Sequence, residues 1–208
     1  MCDVIAVECN KCKDLIKKEE IVEFDKLHIC KKCFEKYNEY SFERRKLFEK
    51  IDRFENILRN YNCFIAGGVI TSVFTNEEIN DIDIYFRSKN DLRDFMTENE
   101  LFIVYATDKS FTFKVGDTIF QAIYFDYFEK AEDIFERFDF TVCMGAYDFL
   151  EDDFILHKDF LRHNSQKTLR VNTATDYPII SALRVDKYKK KGYSISKGEF
   201  IKILMIIN

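Results

Sequence analysis

Between residues 35 and 60 the apolar positions keep a helical period. Leu47, Ile51, Phe54 and Leu58 recur at spacings of four, three and four with charged residues between them, which predicts one amphipathic helix. Asn60 and Asn62, on either side of Tyr61, mark its end. Cys63 to Ala66 is a short apolar run ending at Gly67-Gly68, the pattern of a buried strand that enters a turn, and Val69 to Phe74 starts a short helix. From Asp81 to Phe86 acidic and apolar residues alternate, so an extended backbone puts both aspartates on one face. Residues 90–99 read as a helix and 101–106 as a strand. Residues 110–115 and 118–125 read as the arms of a hairpin around Gly116-Asp117, whose order leaves the turn type open. From Glu129 onward the pattern reads mainly as helix, with a break near 138–141. Pro178 starts a helix over 179–191. The apolar tail 200–208 is expected to pack on the core or on a partner.

Composition adds bounds to this pattern. With 208 residues, 47% apolar and 33% charged, the chain is long enough for one ordinary core plus a small appendage. A single proline and six glycines leave little room for flexible linkers. No apolar run reaches membrane-spanning length, and Met1 to Val7 lacks the pattern of a signal peptide, so a cytosolic protein is expected. The net charge of −5 hides an asymmetry. Residues 77–156 carry 20 acidic and 7 basic side chains, whereas residues 157–202 carry 11 basic and 4 acidic. That division suits an acidic metal site beside a basic surface for phosphates, and also a solvated face of varying charge.

Seven cysteines in a reducing compartment point to metal or free thiols rather than disulfides. Cys9-Asn-Lys-Cys12 and Cys30-Lys-Lys-Cys33 are two C-x2-C knuckles. Each tight turn presents two sulfurs, and four thiolates close a tetrahedral Zn²⁺ shell, so the expected role is structural. The adjacent lysines favour the thiolates. His28 reads as a neighbour of the site or a surface residue, not a ligand. Cys2, Cys63 and Cys143 lack partners at metal spacing, and Cys63 and Cys143 read as core. His157 and His163 read as surface residues.

The chemistry of the central segment lies in the Gly67-Gly68 turn, followed by Asn80-Asp81-Ile-Asp83. Glycines let the backbone approach phosphates. Two carboxylates two apart on a strand can hold Mg²⁺ or Mn²⁺ together with substrate phosphates. In this order and distance, the two motifs resemble the signature of the polymerase-beta-like nucleotidyltransferase superfamily. Arg137-Phe138-Asp139-Phe140-Thr141-Val142 is similar to the Arg-Arg-Asp-Phe-Thr-Ile-Asn motif of bacterial poly(A) polymerases and CCA-adding enzymes, with Phe138 in place of the second Arg. Leu169-Arg170-Val171 and Ala182-Leu183-Arg184-Val185 look like later Leu-Arg elements of that group, with Pro178 between them. Together with the hairpin around Gln121 and the ending Lys187-Tyr188-Lys-Lys-Lys-Gly192-Tyr193, the pattern also resembles small nucleotidyltransferases encoded by bacteriophages. The resemblance covers residues 63–193, and the large helical body of CCA-adding enzymes is absent.

The resemblance implies an α+β fold, a nucleotidyltransferase-type mixed sheet flanked by helices with a helical C-terminal part, and the two cysteine knuckles, which the resemblance does not cover, add an N-terminal zinc module. The expected division is 1–34 zinc module, 35–62 connecting helix, 63–150 core and 151–208 C-terminal region. Asp81 and Asp83 are expected to bind the catalytic Mg²⁺ or Mn²⁺, and Asp139 to serve as third carboxylate, with Asp126 as competitor and a helix N-cap as the plain alternative for Asp139. Gly67, Gly68, Ser72, Arg170 and Arg184 are the expected triphosphate contacts, although Ser72 can equally be a helix residue facing the sheet. Lys187, Lys189, Lys190 and Lys191, with Tyr188 and Tyr193 interleaved, suit a nucleic-acid backbone with stacked bases. The activity implied is transfer of a nucleoside monophosphate from a nucleoside triphosphate to a hydroxyl, on RNA with a tRNA-like 3′ end. The alternative is an inactive scaffold of the same fold whose zinc module binds nucleic acid or protein.

Overall fold

The computed structural model describes residues 6–24 and 27–207. Cys2 lies outside them. The chain forms two compact units, Met1–Arg45 and Lys46–Asn208.

In the first unit, strands β1 (Ala6–Glu8) and β2 (Leu15–Lys17) pair antiparallel, as do β3 (Ile21–Phe24) and β4 (Leu27–Cys30). Helix α1 (Lys31–Asn38) follows at once, and the Cys30 sulfur caps it by accepting from the Cys33 amide at 3.4 Å. Helix α2 (Ser41–Ile51) crosses into the second unit.

The single helix expected over 35–60 is therefore three segments: α1, α2 and α3 (Phe54–Leu58). Tyr40 and Asp52 take positive φ, 58° and 44°, and each resets the helix direction. The apolar stripe itself is where its spacing put it: Leu47, Ile51, Phe54 and Leu58 are all buried.

The second unit is organised around a seven-stranded mixed sheet. After β5 (Cys63–Ala66) come helix α4 (Gly68–Phe74), strand β6 (Asp81–Phe86), helix α5 (Lys89–Glu98) and strands β7 (Phe102–Ala106), β8 (Ser110–Val115) and β9 (Thr118–Ile123). Then follow β10 (Gly145–Asp148), β11 (Asp153–Leu156), α6 (Phe160–Ser165), β12 (Thr168–Leu169), α7 (Pro178–Lys190), β13 (Ser194–Ile195) and α8 (Lys197–Ile207). The sheet order is β11-β10-β5-β6-β9-β8-β7, with β6 and β9 parallel and every other neighbouring pair antiparallel.

The period-2 pattern of β6 divides the core. Ile82, Ile84 and Phe86 are buried on one face, where Phe86, Phe113 and Phe120 meet Phe54 of α3 and Phe95 of α5 at ring separations of 4.7–6.1 Å. Each such ring contributes about 1.5–3 kcal/mol by burial. Tyr85, on the other face, stacks on Phe64 at 5.5 Å beside Ile134, Phe135 and Met144. A third cluster joins Phe140, Val142, Leu169, Val185, Tyr188, Tyr193 and Ile203, so α7 and α8 pack onto the segment that carries Asp139.

The pattern read as mainly helical after residue 129 contains a β-hairpin, β10–β11, instead. All four residues of β10 are buried at the interior of the sheet, and strands this short carry too few alternations to show a period. Gly145 is required there: a Cβ would lie 2.8 Å from Ile70 Cγ2 and 3.0 Å from the Phe160 ring. The expected boundary at residue 150 falls inside this hairpin. The apolar tail forms α8, with Ile203 buried and Ile201, Leu204 and Met205 exposed. No helix of the described residues is long and apolar enough to cross a membrane.

Candidate functional site

Two clusters of chemically active side chains stand out. In the first unit the sulfurs of Cys9, Cys12, Cys30 and Cys33 all lie within 4.8 Å of one another. A tetrahedral Zn²⁺ with bonds of about 2.3 Å needs sulfurs about 3.8 Å apart, so the four thiols fit that ion. Burial would raise the Cys9 pKa, but the backbone amides of Cys30, Cys12 and Lys11 outweigh it and bring the thiol down to about 6. The Cys30 amide donates to the Cys9 sulfur at 3.3 Å. Cys12 and Cys33 are shifted upward, Cys33 chiefly by burial, so the backbone acidifies one sulfur of the cluster. His28 is not among these ligands; its ring lies 3.6 Å from Glu23.

In the second unit a cleft of about 330 Å³ is lined by Gly67, Gly68, Asp81, Asp83, Tyr85, Gln121, Asp139, Arg184 and Lys187, among others. Gly67 joins β5 to α4 at φ 86°, ψ −133°, a conformation that side chains rarely adopt. Its missing Cβ would also meet the Phe138 ring at 3.3 Å. Opposite lies the β6 face that carries Asp81, which is exposed, and Asp83, which is partly buried. Burial, and then the neighbouring carboxylate of Asp81, push the Asp83 pKa up to about 7, against the pull of Arg184 and Lys187. Two crowded carboxylates with that property are a donor set for a hard divalent cation.

Asp139 reaches the same cleft from the loop that precedes the short turn at Thr141–Cys143. It is 3% exposed. Its Oδ2 accepts from Arg184 at 3.2 Å, while its Oδ1 has no hydrogen-bond partner among the described residues. A buried carboxylate oxygen left unpaired is costly, which is why such atoms concentrate where a ligand or a proton completes them. Its side chain caps no helix, because the short turn starts at Phe140 without a side-chain cap.

Asp126, the competitor for the third carboxylate, instead accepts from Arg137 at 2.8 Å. Ser72 is buried one turn into α4 and does not line the cleft. Arg170 lines a different depression with Arg162, His163 and Lys202, 3.3 Å from Glu199. Tyr188 and Tyr193, expected to be free for stacking, are 9% and 3% exposed: they pack edge-on at 5.4 Å and fill the core under α7. His163, expected at the surface, is buried with Nδ1 2.7 Å from Thr141 Oγ1, and burial holds its pKa below the usual histidine value. His157 is half-buried, and its Nδ1 accepts from the Asp159 amide. Cys63 and Cys143 are buried as expected, and Cys143 also edges the cleft, 2.5 Å from the Tyr188 hydroxyl.

Several lining residues had no assigned role. Gln121 stands opposite Asp83 in the β6–β9 register, and its amide lies 3.4 Å from Asp81 Oδ2. The signal was its place in the hairpin arm, but a parallel β6–β9 pairing is not legible in sequence. Phe125, Ile134, Arg137, Phe138, Asp176, Tyr177 and an edge of Tyr188 also line the cleft.

Comparisons with known proteins agree with this fold. The chain is similar to the Bacillus stearothermophilus CCA-adding enzyme in complex with CTP: 15% identity, TM-score 0.56, covering 75% of this chain and 42% of that one. It is similar also to the Thermotoga maritima CCA-adding enzyme complexed with tRNA, at 15% identity and TM-score 0.58, covering 79% and 44%. At such identities the likeness is one of fold, that of the polymerase-beta-like nucleotidyltransferases. In sequence, a protein of Bacillus phage SPbetaL7 described as Gabija anti-defense 2 is 46% identical over 170 residues, 80% of this chain. The present chain spans 42% of that relative's length. A family profile described as Gabija anti-defense 2 family protein matches residues 28–167, which include the second cysteine knuckle, the Gly67-Gly68 turn and Asp81, Asp83 and Asp139. The chain belongs to the Gabija anti-defense 2 family.

Proposed function

We propose that this chain transfers a nucleoside monophosphate from a nucleoside triphosphate to an acceptor hydroxyl on RNA. The observation that carries the proposal is the convergence of Asp81, Asp83 and the half-unpaired Asp139 in one cleft with the Gly67-Gly68 turn, Arg184 and Lys187. Asp81 and Asp83 would hold Mg²⁺ or Mn²⁺, which supplies charge neutralisation on the phosphates and acidifies a bound hydroxyl. Gly67 and Gly68 let the triphosphate come close to the backbone. Arg184 and Lys187 take phosphate charge. Asp139 Oδ1 takes the proton of the attacking hydroxyl, Arg184 holding the other oxygen in place. The new bond joins the acceptor oxygen to the α-phosphorus, and the bond to the β-phosphate oxygen breaks, releasing pyrophosphate. The cysteine module would hold Zn²⁺ as a structural ion. The basic residues 157–202 favour RNA as acceptor, through their lysines and not through the buried tyrosines.

The relative's description as an anti-defense protein favours a second reading: a binding protein of this fold that engages a component of a bacterial defence system. Incubation with Mg²⁺ or Mn²⁺, each labelled triphosphate and total RNA, with Asp81→Ala/Asp83→Ala alongside, separates the two. Label on RNA from the wild type alone is the expected result, with a loss of at least about 10³-fold in the double variant. Label on protein would keep the chemistry and change the acceptor. No label and no triphosphate binding would leave the binding reading.

A further inference from the structure

The cleft mouth carries two aromatic rings that the transfer chemistry does not use. Phe125 is 42% exposed and Tyr177 49% exposed, although most phenylalanines of the second unit are buried. Both line the cleft. Among the described residues no ring packs on Phe125, and Tyr177 is met by Lys109, whose Nζ lies 3.0 Å from its hydroxyl and 4.3 Å from its ring centre. Single exposed rings are common on protein surfaces, but two at the rim of one polar cleft offer apolar faces to whatever ligand enters it.

One side chain bridges the two segments that present these rings. Phe125 precedes Asp126, and Tyr177 follows Asp176. Arg137 donates to Asp126 at 2.8 Å from one nitrogen and to Asp176 at 2.5 Å from the other. A single planar guanidinium therefore ties together the two loops that present the rings, and its fork geometry sets their separation as a lysine could not.

We propose that Phe125 and Tyr177 form the nucleobase-binding rim of the cleft, stacking on the base of the donor triphosphate, with Arg137 as the positioning residue that holds the rim together. The inference rests on the nucleotidyl-transfer reading and adds where the donor base sits. Because every base has a π-face, the rim favours nucleotides over inorganic phosphates and discriminates weakly among the four bases.

The test compares two ligands in the presence of Mg²⁺ by calorimetry: each of the four nucleoside triphosphates, and inorganic tripolyphosphate, which has the phosphates and no base. Phe125→Ala and Tyr177→Ala are expected to weaken the nucleotides roughly tenfold to a hundredfold and to leave tripolyphosphate unchanged. Tyr177→Phe keeps the ring and is expected to bind as the wild type does. Arg137→Lys, which can reach one aspartate but not both, is expected to lose nucleotide affinity with tripolyphosphate again unchanged. Both rings are exposed, so the variants should fold, and melting curves check that. Unchanged nucleotide affinity in the alanine variants would overturn the rim, as would an equal loss of both ligands. If the wild type binds neither ligand, the transfer reading falls together with the rim.

Discussion

The cysteine module and the carboxylate cleft make opposite use of their polar groups. In the module four like side chains meet over short chain distances, backbone amides stabilise a thiolate, and the four sulfurs match a single closed shell. In the cleft, groups from residues 67 to 187 converge, two carboxylates crowd each other, and a buried oxygen of Asp139 is left without a partner. A closed shell is suited to stability and an incomplete one to a ligand that comes and goes. The difference teaches that the module can be tested by what unfolds, and the cleft by what binds.

The largest effect is expected in the module. If the module holds Zn²⁺ as proposed, Cys30→Ser or a strong chelator should remove it and unfold the hairpins around it, because metal binding supplies on the order of 10 kcal/mol to so small a unit. Metal content and amide NMR of residues 6–38 would report it, and triphosphate binding in the cleft should survive. If the variant keeps one zinc per chain, the closed-shell picture fails.

The cleft is sharpened by a pair of arginines. Arg184→Ala strips Asp139 of its remaining partner and removes the proposed phosphate contact, so triphosphate affinity should fall by roughly 10–100-fold. Arg170→Ala, whose partner is Glu199 in another depression, should change it less than about threefold. Equal effects would mean that the cleft is wrongly drawn.

Gly67→Ala tests backbone rather than charge. Forcing a Cβ into φ 86° and against Phe138 should cost about 1–3 kcal/mol of stability, read in urea unfolding. A neutral outcome would show that the β5–α4 turn tolerates rearrangement.

The smallest effect concerns His163. Its folded pKa lies below the unfolded value, so the folded protein favours the neutral ring. The stabilisation is complete above about pH 6.5 and drains away as pH falls through the folded pKa, by at most about 1.4 kcal/mol per unit. His163→Asn should remove that part of the acid slope, and an unchanged slope would place the titrating group elsewhere.

Much of the architecture was legible wherever a pattern is local. The period-2 run of Asp81–Phe86, the Gly67-Gly68 turn, the β8–β9 hairpin and the stripe Leu47, Ile51, Phe54, Leu58 each follow from neighbours in sequence. The breaks at Tyr40 and Asp52 were not legible, because no proline or glycine marks them and packing decides which residue of a helical pattern takes positive φ. The β10–β11 hairpin was missed because four-residue strands inside a sheet show no period. In the cleft, Asp81, Asp83, Asp139, Gly67, Gly68 and Arg184 were reached by motif, whereas Ser72 is buried within α4 and Arg170 lies in another depression.

By itself the sequence determined the four-cysteine module, the alternation that sets two aspartates on one strand face and the glycines that turn the chain toward them, since each depends on spacing along the backbone. Tertiary structure alone decided that Tyr188, Tyr193 and His163 are buried, that Gln121 stands beside Asp83 and that Arg137 ties Phe125 to Tyr177 across the cleft mouth. Those relations join residues up to 52 positions apart, as Cys12 and Cys30 are joined across 18, but no repeated spacing announces them. They arise from which faces the sheet and helices bury together, a choice made by the whole core at once.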